Sequence, residues 1–387
     1  MLVVVVLWCL AHLAGAAGSF GRREGDEESL EDAAVCAQPH QAYTYGDAPR
    51  CLAAACHNVS WAKPCFQRLQ EQLAAVHRHG PPGCDPEHPR QLHMFWDGPL
   101  KRTMCLALWS VVRTQSCSRL TLWHARPFDD GPLLRRLLRG PVAEGKLVLR
   151  SFDEVALSRG TIFESWVGQY EQRKRAGMAS EVLAGENQDA QQAGFSDFVR
   201  FLVLYLYGGL YIDADVVALR DLWPLHGRRF AYRWGWRDDY NTAVLGLGAP
   251  RSEIATKLSQ AAIDDGHGYG SFHPYKLLGY CKAGRFQCLD MLPSEVFDPL
   301  WLHMIGMDDS DQRYPYTRRR HFFLRDVGLD AGSVLRDFFP GALTYHWHNG
   351  WDQRPVRGSA FWALEQLFVA NVTGTRLSGQ TNAAVRV

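Results

Sequence analysis

Residues 196–222 read SDFVRFLVLYLYGGLYIDADVVALRDL. Ser196 is a good helix N-cap, and Phe198 to Tyr207 is an apolar run that a helix would bury on most sides. Gly208-Gly209 ends that helix, because glycine tolerates the left-handed conformation a helix C-terminus requires. Leu210-Tyr211-Ile212 then reads as a short buried strand. It delivers Asp213-Ala214-Asp215 at its C-terminal end, the edge where ligands bind in open α/β sheets.

The chain upstream has the texture of such a sheet. Gln91 to Trp96 reads as a buried strand closed by the turn Asp97-Gly98-Pro99. Met104 to Arg113 has helical spacing, Leu120 to His124 is a second strand, Leu133 to Leu138 a further helix and Lys146 to Phe152 a third strand. Strands alternating with helices predict an α/β fold with a mostly parallel twisted sheet and flanking helices. The polar stretch Gln169 to Gln192 reads as either a long helix or a mobile loop over a site.

Two carboxylates separated by one residue have a chemical use. On an extended chain, residues i and i+2 point to the same side. Asp213 and Asp215 can then address one divalent ion, while Ala214 turns into the packing. Mn²⁺ or Mg²⁺ held by a few carboxylates keeps coordination positions open for a diphosphate. The bare pattern is weak, since Asp309-Ser310-Asp311 repeats it in a polar stretch with no preceding strand. Asp197 and Arg200 add context, because they lie one turn apart on a helix that is otherwise apolar. Such a polar face must look into a cavity or be paired.

The run from Ser196 to Leu222 resembles the sugar-binding DxD region of a family of GT-A glycosyltransferases. That family includes α1,4-galactosyl- and α1,4-N-acetylglucosaminyltransferases, fungal initiating mannosyltransferases and, more distantly, the glucosylating clostridial toxins. Its pattern is matched by Ser196, Asp197, Arg200, Gly208, Gly209, Tyr211, Asp213 and Asp215. Other pieces fall in family order. Gln91 to Trp96 resembles the opening strand, Met104 to Val112 with Trp109 the following helix, and Asn241 to Val244 the strand after the metal site. His346-Trp347-His348-Asn349 resembles the C-terminal H-x-W-N element, with His348 where the family has Trp.

The resemblance covers about residues 90 to 352. It implies a GT-A-like, Rossmann-type fold with Asp213, Asp215 and His346 as metal ligands. The choice between His346 and His348 stays open, with His346 preferred by position. It also implies that Trp96 lies near the nucleotide base, that Asp197 and Arg200 hold donor hydroxyls or phosphate, and that Tyr211 and Asn241 belong to the donor site.

Composition sets bounds on partners and compartment. Hydrophobic residues make up 47% and charged residues 21%, which reads as globular. Lys+Arg is 42 against Asp+Glu 41, so no charge excess recommends nucleic acid, and the cluster Arg318-Arg319-Arg320 reads as solvated surface. Leu2 to Ala17 is apolar but short for a membrane span, and reads as a cleaved signal peptide or a short Golgi-type anchor. Asn58-Val59-Ser60 and Asn371-Val372-Thr373 are glycosylation acceptors.

Cysteines point the same way. Five of them (Cys36, Cys51, Cys56, Cys65, Cys84) crowd before the α/β pattern, and no paired C-x-x-C spacing recommends zinc over disulfides. Cys281 with Cys288, and Cys105 with Cys117, are close enough to staple loops. The expected organisation is a signal or anchor over 1–18, a Cys-rich extension over 19–88, a catalytic domain over 89–370 and a tail over 371–387. A secretory-pathway protein is expected, in the Golgi lumen or secreted, with membrane association only through its N-terminus.

The expected activity is metal-dependent transfer of a sugar from a nucleotide sugar to a glycan, glycolipid or glycoprotein hydroxyl. UDP-sugar is the first donor and GDP-mannose the second, and the family implies retention of anomeric configuration. Two rivals are a silent lectin-like member of the fold and a metal-dependent phosphoester hydrolase. The second would need a further His/Asp cluster that the sequence does not display.

Overall fold

Strand β1 (Arg90–Trp96) and strand β2 (Ser118–His124) are buried along four consecutive residues each. Such runs suit central strands covered on both faces. Leu92 and Met94 face one core and Phe95 the other, as a two-residue side-chain period requires. The computed structural model describes residues 83–85, 87–175, 188–234, 239–266, 268–292, 294–299, 322–328, 330–335, 342–349, 351 and 353–369. All belong to the compact unit Tyr43–Val387. Leu2–Ala17, the acceptor tripeptides at Asn58 and Asn371, Cys36, Cys51, Cys56, Cys65, Asp309, Asp311, Arg318 to Arg320 and the tail 371–387 lie outside the described residues.

The main sheet adds β3 (Leu147–Ser151), β4 (Leu210–Ile212), β6 (Arg229–Arg233), β7 (Tyr240–Leu247) and β8 (Asp290–Leu292), in the order β3-β2-β1-β4-β7-β6-β8. Only β7 runs against the rest, so the mostly parallel sheet is as expected. A second, two-stranded sheet pairs β5 (Val216–Ala218) with β9 (Thr344–His346). Helix α1 (Arg102–Thr114) covers one face of the main sheet with its buried run Thr103–Val112. On the other face lie α2 (Glu164–Arg175), α3 (Gln188–Tyr207), α4 (Glu253–Asp265) and α5 (Pro274–Gly284). Among the described residues no helix is long and apolar enough to cross a membrane.

Two expectations change, and one open choice narrows. Ser196 does not start a helix. Helix α3 begins at Gln188, because Gln and Ala in residues 188–193 are adequate helix formers, and Ser196 lies inside it with Oγ 3.4 Å from the Tyr211 hydroxyl. The Gln169–Gln192 stretch is helical at both described ends, in α2 and α3. Cys105 does not pair with Cys117. It is a buried free thiol within α1, whereas Cys117 bonds Cys84 and Cys281 bonds Cys288 as expected. Burial in the α1 core turns Cys105 away from the loop its proximity in sequence suggested.

His93 ties β1 to the end of α3. Trp123 Nε1–H donates to its Nδ1 at 3.3 Å, so the proton sits on Nε2, which donates to the Gly208 carbonyl at 3.1 Å. Burial, with help from Arg150 and against the Gly208 bond, pushes the imidazole down to about 4. A base with a depressed folded pKa contributes stability that is complete above its unfolded value. That contribution is lost as pH falls from about 6.5 to about 4. The loss should approach about 3 kcal/mol. Urea unfolding of the parent and of His93→Gln across that range checks this. The parent should show the steeper decline, and equal slopes would refute it.

Candidate active site

The strand order reverses between β1 and β4, which lie side by side with Leu92 opposite Leu210. Their C-terminal ends open a crevice at this switch point. At the end of β4 the Asp213 N–H donates to Ala243 O of β7 at 2.8 Å, and Val216 N–H returns to Asp213 O at 3.1 Å. Asp213-Ala214-Asp215 is therefore a tight turn, not the extended pair expected. The carboxylates still converge, because the turn folds them together while Ala214 is buried in the core as expected.

The small sheet completes the group. Antiparallel pairing sets His346 opposite Val216, one residue from Asp215. His346 Nε2 lies 3.2 Å from Asp215 Oδ2, and its Nδ1 2.9 Å from the Tyr232 hydroxyl. The Asn349 N–H donates to Asp215 Oδ2 at 2.7 Å, and the Trp347 N–H to the Asp215 carbonyl at 3.1 Å. His348 and Asn349 adopt left-handed φ of 52° and 60°, which curls the chain after β9 back over Asp215. His348 stacks on His346 with centroids 3.8 Å apart, and its Nε2 lies 2.5 Å from Asp298 Oδ2.

Charge is balanced unevenly. Burial would raise the Asp215 carboxyl, but His346, the Asn349 N–H and His348 together hold it below the ordinary carboxylate range. Burial raises Asp213 to about 6, with Arg200 pulling it down and the Asp215 charge pushing it up. Burial would lower His346, yet Asp215 outweighs it and lifts the imidazole to about 8.

Asp197 and Arg200 are paired with each other and with the metal candidate. Arg200 Nη2 lies 3.2 Å from Asp197 Oδ1 and 3.1 Å from Asp213 Oδ1, and Nη1 donates to Thr242 Oγ1. Burial pushes Asp197 up to about 7, against the pull of Arg200. Tyr211 is fully buried under this pair, its ring 5.2 Å from the guanidinium carbon. It does not line the cavity, and its ring supports Arg200 from beneath.

A cavity of about 1100 Å³ is lined by Trp96, Asp197, Arg200, Asp213, Asp215, Asn241, His346 and His348, among others. Trp96 is held by its Nε1–H to the Pro99 carbonyl at 3.0 Å and by Trp351, whose ring centroid lies 4.4 Å away. The Asn241 side chain accepts from the Ala243 N–H at 2.9 Å, which fixes it at the start of β7.

One oxygen each from Asp213 and Asp215 and one nitrogen of His346 lie within 4.8 Å of one another, as do atoms of Asp298, His346 and His348. The first set, two carboxylates and an imidazole, has donors that suit Mn²⁺ and tolerate Mg²⁺. Both sets share His346, whose ring nitrogens already face Asp215 and Tyr232. Among the described residues they are therefore not two independent ion positions. Asp298 carries no motif, and only its charge within the apolar run Val296-Phe297-Asp298-Pro299 marks it. Nor does the sequence announce the Asn349 backbone donor, because no side chain carries it.

No curated protein sequence matches the chain. Among solved structures it is similar to the PaToxG glycosyltransferase (13% identity, 56% of this chain and 78% of that one, TM-score 0.34). It is also similar to the apo form of the glycosyltransferase GlyE of Streptococcus pneumoniae TIGR4 (14%, 73% and 64%, TM-score 0.39). A third is the bifunctional glycosyltransferase WbbM in its apo structure (11%, 81% and 58%, TM-score 0.38). Residues 169–231 match the family model described as the glycosyltransferase sugar-binding region containing DXD motif. Those residues hold Asp197, Arg200, Asp213 and Asp215 of the cavity lining and Tyr211 beneath them, so the chain carries a glycosyltransferase DXD sugar-binding region at this cavity.

Proposed function

We propose that the protein transfers a sugar from a nucleotide sugar, UDP-linked first and GDP-mannose second, to a glycan hydroxyl, with a divalent ion at Asp213, Asp215 and His346. The observation that carries this is the convergence of those three side chains at the floor of a cavity walled by Trp96. Such an ion, when bound, supplies Lewis-acid stabilisation of the charge on the leaving diphosphate. Arg200 fixes the rotamer of Asp213 and keeps that carboxylate aimed. The Asn349 N–H and His346 do the same for Asp215. Trp96 offers a face on which a base can stack. No cavity carboxylate is assigned as a nucleophile, and a front-face, retaining transfer needs none.

The rival readings weaken on the same geometry. A lectin-like member of the fold binds no donor diphosphate, so it gives no reason for Asp213, Asp215 and His346 to converge beside Arg200. A two-metal hydrolase needs two independent ion positions, which a shared His346 does not supply. The disulfides Cys84–Cys117 and Cys281–Cys288 support an oxidising compartment, and we place the protein in the secretory lumen.

A screen of nucleotide sugars for slow donor hydrolysis, with chelator and with Mn²⁺ or Mg²⁺ restored, tests the proposal. Hydrolysis should follow the metal. Turnover indifferent to chelator would overturn it. Trp96→Ala should remain folded and bind UDP more weakly by about 1–3 kcal/mol, the scale of one lost stacking contact. Calorimetric titration with UDP and Mn²⁺ measures this, and unchanged affinity would return Trp96 to a packing role.

A further inference from the structure

The strand order sets a direction across the cavity. Trp96 ends β1, Asp213 follows β4 and Trp234 follows β6, and β4 lies between the other two in the sheet. A donor whose base rests on Trp96 and whose diphosphate reaches Asp213 and Asp215 therefore presents its sugar towards β7 and β6. The cavity wall on that side is aromatic. Trp234, His273 and Pro274 line it, and the Trp234 and His273 rings are near parallel, 6.0 Å apart and 23° inclined. His273 in turn meets Tyr275, with centroids 4.2 Å apart. Tyr275 is 55% exposed, unusual for a large ring among the described residues. The three rings thus make a strip that starts inside the cavity and ends on the open surface.

The chemistry of the strip suits a neutral carbohydrate. A sugar ring lays its C–H face on an aromatic face while its hydroxyls reach polar tips and water, and Trp and Tyr present both kinds of surface. His273 caps helix α5 by accepting from the Tyr275 N–H on Nδ1, so its remaining nitrogen is a donor for a hydroxyl oxygen. Burial, with Arg200 and Lys276 adding to it, keeps that imidazole neutral. Those two cations are themselves matched. Lys276 lies 2.6 Å from Asp265, and Arg200 is held between Asp197 and Asp213.

Resting on the transferase reading above, we propose that Trp234, His273 and Tyr275 form the acceptor subsite and that the acceptor is a neutral glycan of at least two sugar residues. The terminal sugar lies against Trp234 and His273, and the next one lies on Tyr275. A single sugar fills only the inner part of the strip, and a peptide hydroxyl uses none of it.

The test is saturation-transfer NMR of the full chain with UDP and Mn²⁺. Its probes are lactose, cellobiose and chitobiose, their component monosaccharides, and 3′-sialyllactose. At least one neutral disaccharide should bind, with contacts from both rings and about tenfold more tightly than its monosaccharides. Tyr275→Ala should bring that disaccharide down to the monosaccharide level. Its UDP affinity, donor hydrolysis and melting midpoint should stay at parental values, since Tyr275 lies outside the cavity lining. Trp234→Ala should abolish binding of both sizes.

The proposal is overturned if no disaccharide binds a protein that hydrolyses donor, if monosaccharides bind as tightly, if the sialylated probe is preferred, or if Tyr275→Ala binds as the parent does. Absence of any metal-dependent donor hydrolysis is a different result, and it counts against the transferase mechanism instead.

Discussion

Asp215→Asn is expected to lower metal-dependent donor turnover by about a thousandfold or more, the scale of several kcal/mol of lost charge stabilisation in a water-poor site. The substitution is the most informative in the site because it separates charge from shape. Asn keeps an oxygen for the Asn349 N–H that now donates to Asp215 Oδ2, and the Trp347 N–H still finds the backbone carbonyl. What disappears is the anion beside His346. The imidazole can respond by releasing its proton, so the cost to folding should stay near about 1–2 kcal/mol, below that of stranding a buried charge. Asp213→Asn should be as inactive but less stable, because Arg200 then keeps only Asp197 as an ionic partner. Rate, melting midpoint and Mn²⁺ affinity measured together decide the matter. An Asp215→Asn protein that turns over donor as the parent does, or binds Mn²⁺ equally well, would remove the metal assignment.

Parts of this arrangement can be read directly from residue order. Strands β1 to β4 and helix α1 are largely apolar segments with clear breaks, and their parallel order follows from alternation. The meeting of Asp213 and Asp215 was also legible, although for a mistaken geometric reason: a turn closed by Val216, not an extended chain, brings them together. The start of α3 was not legible, since Ser196 has the chemistry of a cap while the Gln and Ala residues before it carry the helix on by ordinary propensity. Strands β5 and β9 are three residues each, and their pairing joins distant parts of the chain. Nothing local marks such a contact. His346 was placed by family order alone, and the pairing of His348 with Asp298 by neither order nor spacing.

The same limit explains why Tyr211 was drawn into the donor site. A motif records which positions matter, and it does not separate residues that touch a ligand from those that hold another residue in place. Tyr211 lies beneath Arg200, Arg200 beside Asp213, and only the last of these is a candidate to meet the ion. Function in this region is therefore layered. A buried aromatic supports a cation, the cation orients a carboxylate, and on the reading proposed above that carboxylate holds the ion.

Gly209→Ala is expected to destabilise the protein by about 3–5 kcal/mol, a large share of the roughly 5–15 kcal/mol that a folded domain has. Gly209 has φ of 78°, and a Cβ there would lie 2.2 Å from the Gln91 carbonyl oxygen and 2.9 Å from its carbon. The left-handed backbone alone costs an L-residue about 1–2 kcal/mol. The contact costs more, because its partner is the backbone of β1, held by pairing to β2 and β4 on either side. Neither strand can yield without opening the β1–β4 seam, and that seam brings Asp213 and Trp96 to one cavity. Gly208→Ala should cost less. Its φ is 64° and its nearest obstacle, at 2.8 Å, is the Pro250 ring. Gly227→Ala should cost least, since φ is 76° but nothing lies within 4 Å. Urea unfolding of the three variants should give that order. Any Gly209→Ala protein that survives should also bind UDP and Mn²⁺ poorly, because the two halves of the site no longer share a fixed register. A parental midpoint for Gly209→Ala, or a larger loss at Gly227 than at Gly209, would show that the close approach of the two strands does not govern the site.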